Sequence, residues 1–498
     1  MRVPPVQFRM AQTPHLRLVV GIFITTRLLI LAAHAVAAKS IPQSDVKPGL
    51  IERVKLHHDA ELDQTIQKLW AAACLPPEEK QARRAAVAKI LKGGKVLVPR
   101  DHLQRLQASP SSRIPDGLLD PLSDEQIRNL FAYLESKAVD IGADEASSAW
   151  RIIQPFFHPP SQFANHLGSY RSPLLFKDGS SVKTPAEWPR RRAEILREWT
   201  ELMGEWPLVI EKPAVETLSE TRRDNTIHRR VRIQLAPNLT GEGWLLVPEA
   251  KEPLPAVLVV YYEPETSVGR NPAQPLRDFA LQLARRGFVT LSIGAPGGDA
   301  WKPTRGRALC QPLSFHAYVA ANCWHALANL PQVARERIGV VGHSFGGKWA
   351  MFAAALWDKF ACVAASDPGV VFDESRPNVN YWEPWYLGFD PAHTRQPGLP
   401  TTDNPRTAAY RQMIERGRDL HELHALISPR PFLVSGGAED QPSRWIPLNH
   451  ALAVNQFLGF TNRVALTHRE SHDPTETSNK QLYAFFEHFL KFDARNHP

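Results

Sequence analysis

From residue 215 onward, apolar and polar positions follow two alternating rhythms. Val231, Ile233 and Leu235 alternate with Arg230, Arg232 and Gln234, which predicts a strand with one wet face, and residues 244–247 predict a second. Near-continuous apolar runs follow at 256–262, 288–293, 338–341, 362–365, 432–434 and 464–466. Such runs predict strands buried on both faces by helices. The segments between them at 275–286, 315–330, 347–358, 445–458 and 475–491 are long enough to be those helices. In the last, Leu482, Phe485, Phe486, Phe489 and Leu490 fall on one stripe.

Upstream the pattern is different. Residues 50–138 read as a small helical unit whose last helix opens on Ser123, with Gln126 placed to complete a capping box and Ile127, Leu130, Phe131 and Leu134 at helical spacing. Residues 139–213, rich in Pro, Ser and Trp, predict a linker and an N-terminal arm laid against the next domain, with a basic helix near 190–201. The third segment, 214–498, carries the strands and helices above and is expected to be the catalytic domain. Residues 1–38 hold Arg2, Arg9, Arg17 and Arg27, no acid, and an apolar stretch from Leu18 ending in Ala35-Val36-Ala37-Ala38. That order of basic, apolar and small residues predicts a cleaved signal peptide and export. The alternative is an N-terminal membrane anchor, against which Arg27 divides the stretch into pieces too short to span.

Composition narrows the classes. The 498 residues suit two or three domains. A hydrophobic fraction of 43% with 22% charged residues excludes a disordered chain and a membrane bundle. Net charge is +8, and removing the four N-terminal arginines leaves 8 − 4 = +4, too mild and too evenly spread for a nucleic-acid partner. Cys74, Cys310, Cys323 and Cys362 match no metal or redox spacing and can be buried thiols or a bridge. No metal or redox cofactor is implied.

The chemistry centres on Gly342-His343-Ser344-Phe345-Gly346, set between the 338–341 strand and a helix. A sharp strand-to-helix turn needs small residues on either side of an exposed serine, which makes Ser344 the candidate nucleophile. A serine needs a base to take its proton and a carboxylate to orient that base. His472, just before the last helix, is the expected base, with His468 nearer the strand end as a structural residue. For the acid, Ser435-Gly436-Gly437-Ala438-Glu439-Asp440 follows a strand, and Asp440 is preferred over its neighbour Glu439 and over Asp367 after the 362–365 strand. The oxyanion hole is expected from two backbone donors, the amide of Phe345 and one at Tyr262 or Glu263 in the loop after Val260. Lys348, Trp301 and the aromatics Trp382 and Trp385 of a long insertion between Asp367 and Arg430 are candidate substrate contacts; for Lys348 the alternative is a solvated first-turn lysine, and for the tryptophans the packing of their own loop.

Two resemblances add to this reading. The run Val98-Pro99-Arg100-Asp101, the stretch from Ser109 through Ile114-Pro115-Asp116-Gly117 to Leu119, and Leu122-Ser123-Asp124-Glu125 resemble the C-terminal half of a cytochrome-c-like domain. That family attaches haem through Cys-x-x-Cys-His and ligates it through a methionine; this chain lacks the first and has Ile114 in place of the second, which implies a haem-less relic. Antiparallel strands followed by parallel strand-helix units resemble the α/β-hydrolase fold, a mostly parallel central sheet flanked by helices. Within it, Ser344-Phe345-Gly346-Gly347-Lys348 and His424-Ala425-Leu426-Ile427-Ser428-Pro429-Arg430-Pro431 are similar to motifs of glucuronoyl esterases and the acetyl xylan esterase group. The resemblance implies an exported serine esterase acting on a carbohydrate. Phe345 stands where glucuronoyl esterases carry an arginine that helps bind the oxyanion and the uronate, and His343 where they carry a cysteine. The alternatives are a serine peptidase of the same fold, or a binding or electron-transfer protein built on the N-terminal unit.

Overall fold

The computed structural model describes residues 148–300, 302–376, 387–393, 395–396 and 398–492, all within one compact unit, Gly142–Pro498. The signal-peptide and helical-unit expectations, Cys74, Trp301, Trp382 and Trp385 lie outside the described residues.

Nine strands form one sheet: β1 (Val215–Arg223), β2 (Thr226–Ala236), β3 (Leu239–Pro248), β4 (Leu254–Val260), β5 (Val289–Ile293), β6 (Val333–His343), β7 (Val363–Ser366), β8 (Phe432–Gly436) and β9 (Val464–His468). Their order is β1-β2-β3-β5-β4-β6-β7-β8-β9. The first three pair antiparallel, β3 meets β5 antiparallel, and every later pairing is parallel. This is the α/β-hydrolase fold.

The period-two rule sorts strand residues onto the two faces. Ala256, Leu258 and Val260 of β4 join the core of one face, with Val340 of β6 and Val434 of β8; Val257, Val259, Val341 and Leu433 join the other. The first face is covered by α1 (Trp188–Met203), α3 (Pro312–Ala328), α4 (Phe345–Leu356), α5 (Ala408–Glu415), α6 (His421–Ile427) and α7 (Trp445–Phe457). The second is covered by residues 149–157, α2 (Phe279–Arg285) and α8 (Glu476–Phe486), where Leu482, Phe485 and Phe486 form the expected stripe.

Three elements escaped the apolar pattern. Strand β1, Val-Glu-Thr-Leu-Ser-Glu-Thr-Arg-Arg, is exposed along almost its whole length at the sheet edge, so nothing apolar marks it. It pairs instead through backbone bonds and charge partners such as Arg229 to Glu220 (2.7 Å) and Arg232 to Glu216 (2.9 Å). Helices α5 and α6 lie within the insertion between Asp367 and Arg430 and are too short to show a helical period. Cys310, Cys323 and Cys362 are buried free thiols.

The basic helix expected at 190–201 is α1, and it is part of the core. Trp188, Ile195, Trp199, Leu202 and Met203 are buried in the same cluster as strands β2 to β9. Its polar groups are also spoken for: Trp199 Nε1 donates to Glu422 Oε2 at 2.9 Å, and Arg418, which donates to the same oxygen at 2.7 Å, also pairs with Glu198. Burial raises the pKa of Glu422, and Arg418 and the Trp199 hydrogen bond counter it. Replacing Trp199 by Phe keeps one aromatic ring but removes the pyrrole half of a fully buried indole and with it one donor to a buried carboxylate, so it should cost at least about 1–3 kcal/mol in urea unfolding. A change below roughly 0.5 kcal/mol, the scale of a surface substitution, would mean the arm is appended rather than built in.

Candidate active site

The strand order places β4 between β5 and β6, so the sheet reverses its direction of winding there and leaves a crevice at the carboxyl ends of these strands. Ser344 sits at that end of β6. Its backbone is left-handed, φ 57° and ψ −121°, a conformation costly for a residue with a side chain and held only because the surroundings impose it. The neighbouring glycines make the turn possible. A Cβ on Gly342 would overlap the Gly346 carbonyl and lie 2.7 Å from the Val260 carbonyl, and one on Gly346 would overlap the Val260 carbonyl too. The serine amide donates to Ser366 O at 2.7 Å, which ties the turn to the end of β7.

His472 reaches this serine from the loop after β9. Ser344 Oγ lies 2.9 Å from His472 Nε2, and His472 Nδ1 lies 2.6 Å from Asp367 Oδ2. Because a carboxylate only accepts, Nδ1 carries the proton and Nε2 is left as the acceptor for the serine hydroxyl. That is the tautomer a general base needs. The Asp367 side chain is wholly buried, while that of His472 is 37% exposed on its way to the crevice.

Asp440 does not meet the histidine. Its carboxylate accepts the amides of Gly369 and Val370, both at 2.7 Å, and Glu439 turns to Arg376 at 3.5 Å. The expectation of Asp440 as the acid beside His472 is therefore corrected to Asp367. The reason is register: β7 adjoins β6 directly, and His343 pairs with Ser366, so the next residue on β7 lies beside the serine. Strand β8 is one place further out. The Gly-Gly ending that pointed to Asp440 has another purpose, since a Cβ on Gly437 would stand 2.8 Å from Asp367 Oδ2. The glycine gives clearance to a carboxylate on the neighbouring strand.

Asp367 is then surrounded by amides: Gly437 N at 2.7 Å and Asp440 N at 2.9 Å on Oδ1, with Glu439 N at 3.2 Å. Arg469, missed by sequence reasoning, fixes the histidine loop. It donates to the carbonyls of His472 (2.6 Å), Asp473 (2.8 Å) and Ser435 (2.8 Å) and to Ser366 Oγ (3.3 Å). Its only signal in the sequence was its place in the loop between strand and base. His343 lies under the base, ring centroids 4.7 Å apart, and burial, with the His472 ring and Arg277 beside it, holds its pKa well below the usual histidine range. His468 ends β9 exposed, away from these contacts.

Phe345 opens helix α4, so its amide stands at the positive end of the helix dipole next to Ser344. Its ring is buried against Tyr262 (5.0 Å), His316 (5.1 Å) and Trp349 (5.8 Å). The Tyr262 ring packs on that of Phe345, and burial, with Tyr261 beside it, pushes the phenol pKa up to about 12, so it is a donor at neutral pH. Lys348 is neither solvated nor placed to meet a substrate. Only 1% exposed, it donates to the Gly369 carbonyl and lies 5.6 Å from the Phe372 ring centre, beneath the turn that follows Asp367. Among the described residues, no cluster of three or more His, Cys, Asp or Glu side chains could hold a metal ion, and no helix is long and apolar enough to cross a membrane.

The arrangement can activate a serine for attack on an electrophilic centre. Asp367→Asn should slow labelling of Ser344 by a fluorophosphonate about 10³- to 10⁴-fold, by removing the anion that selects the tautomer and stabilises the imidazolium. Glu439→Gln, which keeps its backbone amide, should label within about threefold of wild type. Equal rates for Asp367→Asn and wild type would refute the geometry's reading.

Comparison with known proteins agrees with this architecture. Residues 281–490, from α2 to the terminal helix, match the model of the prolyl oligopeptidase family. No curated protein sequence matches. Among solved structures, a glucuronoyl esterase from Solibacter usitatus is 18% identical with a TM-score of 0.52, covering 64% of this chain and 97% of that one. A promiscuous CE15 esterase from the marine bacterial metagenome is 16% identical with the same TM-score, covering 64% of this chain and 97% of its own. These likenesses establish a shared fold, and the family match over residues 281–490 is consistent with a serine-hydrolase-type α/β fold.

Proposed function

We propose that the protein is an exported serine esterase that cleaves a carboxylic ester on a carbohydrate, either an acetyl or a glucuronoyl ester. The observation that carries this reading is the continuous line from Ser344 Oγ through the His472 ring to the buried Asp367 carboxylate. Ser344 attacks the ester carbonyl as His472 takes its proton. The oxyanion receives hydrogen bonds from the Phe345 amide and the Tyr262 phenol. Collapse expels the alcohol, protonated by His472, and leaves an acyl-serine. Water, deprotonated by the same imidazole, then releases the carboxylic acid and restores the serine.

The packing of Phe345 makes the wall beside the oxyanion apolar. The ring next to it, His316, is kept neutral by burial, its pKa brought down to about 3, so the developing charge meets neutral donors for either ester of the pair. A peptidase is the second reading, favoured by the prolyl oligopeptidase match over 281–490. Export rests on the basic, apolar and small-residue order of residues 1–38, and the 50–138 unit is read as a haem-less relic that adds no cofactor.

A screen of acetylated sugars, methyl glucuronate esters, aryl esters and peptides with wild type and Ser344→Ala tests the proposal. Acetylated sugars or methyl glucuronate esters should be turned over, and Ser344→Ala should lower that rate by at least about 10³-fold. Turnover of peptides alone would select the second reading. Tyr262→Phe should lower kcat on the preferred ester about 10²-fold with KM little changed, since the phenol is asked to act only in the transition state. A rise in KM with kcat intact would assign it to ground-state binding instead.

A further inference from the structure

Asp440 is 0% exposed and touches neither Ser344 nor His472, yet it stands in reciprocal contact with the acid that does. Its backbone amide donates to Asp367 Oδ1 at 2.9 Å, while its side chain accepts the amides of Gly369 and Val370, two and three residues beyond Asp367. We propose that Asp440 is the positioning residue of the triad, its carboxylate fixing the turn after β7 so that Asp367 can present one oxygen to His472. The inference rests on reading Asp367 as the triad acid.

The turn needs such a holder. Asp367 has φ +48° and Gly369 φ +71°, with Pro368 between them unable to donate a hydrogen bond. Left-handed backbone at a non-glycine residue persists only where the surroundings over-determine it. The first two amides after the proline are both captured by Asp440, and the Gly369 carbonyl is taken by Lys348. The loop from Gly437 to Asp440 thus grips Asp367 with its amides, and the side chain at the loop's end grips the chain that carries Asp367.

An anion is costly here. Burial and the adjacent Asp367 charge raise the Asp440 pKa to about 6, and Arg444, its ion-pair partner, stands off at 3.9 Å. The two amides are its shortest partners, and a carboxylate is the side chain that accepts both at once. Shifting the turn by an ångström would misplace Asp367 Oδ2, and displacements of that size cost about 10²-fold in pre-organised sites.

The test is a double-mutant cycle on Asp367→Asn, Asp440→Asn and the double variant, read as the rate of Ser344 labelling by a fluorophosphonate, which needs no knowledge of the natural ester. Asp440→Asn should lower the maximal labelling rate about 10- to 100-fold with unchanged half-saturating reagent, and the double variant should label within about threefold of Asp367→Asn, because Asp440 acts through Asp367. The downfield proton resonance of His472 Nδ1–H should weaken in folded Asp440→Asn. Labelling of Asp440→Asn within threefold of wild type, or losses that multiply in the double variant, would overturn the proposal. A wild-type rate for Asp367→Asn with a dead Asp440→Asn would instead overturn the triad reading on which it rests. Should Asp440→Asn not fold, Asp440→Glu carries the test: it keeps the charge but displaces the turn, and is expected to show the same loss, a wild-type rate refuting the proposal.

Discussion

The site depends on a negative charge with no access to water. A buried carboxylate is costly, by several kcal/mol for an ion taken out of solvent, unless hydrogen bonds replace its hydration. For Asp367 those bonds come from the amides of Gly437, Glu439 and Asp440 and from the His472 ring. Each donor constrains an element: strand β8 must end in glycines close enough to reach the carboxylate, and the loop after β9 must bring its histidine in from the other side. Arg469 satisfies that second demand by binding the carbonyls of His472 and Asp473 to the end of β8.

The same dependence explains what could be read from the sequence. Strands β2 to β9 and the longer covering helices were legible because each buries an apolar surface, and burial leaves a periodic trace. Ser344 and His472 were legible because a nucleophile turn and a base before the last helix have local signatures. The acid was not, because its identity is a matter of strand adjacency. Asp367 and Asp440 both follow buried strands, and only the pairing of His343 with Ser366 sets one of them beside the serine. Lys348 misled for a related reason: a lysine in a first helical turn reads as a surface residue, and only the turn packed on it shows that it is a buried donor to Gly369. Strand β1, exposed and held by charges and backbone bonds, left no apolar trace at all.

Helix α1 shows a similar limit of local reading. Its arginines mark it as polar, but Arg191 is fully buried and Glu198 nearly so, in a network that reaches Arg418 and Glu422 near the end of the insertion. Charges in sequence suggest solvent, whereas charges paired across two helices can stand inside a core. Removing one member strands the others, so such networks are strongly coupled even where their net contribution is small.

The family match and the structural likenesses name different substrates, peptides on one side and glucuronoyl esters on the other, and the physical content of the site reconciles them. Both describe a scaffold, and a serine, a histidine and an acid brought together on it, as at the ends of β6, β9 and β7 here, can act on either acyl group. Selection lies in what surrounds the carbonyl. Here the residue after the nucleophile is an aromatic ring packed on Tyr262, His316 and Trp349, so the wall next to the oxyanion is uncharged. The cations nearest the base are committed elsewhere: Arg469 to backbone carbonyls, and Arg277 to Asp473 and the Tyr261 hydroxyl. With the wall uncharged and these cations committed, the charge that develops on the carbonyl oxygen falls to neutral hydrogen-bond donors, whichever acyl group carries it.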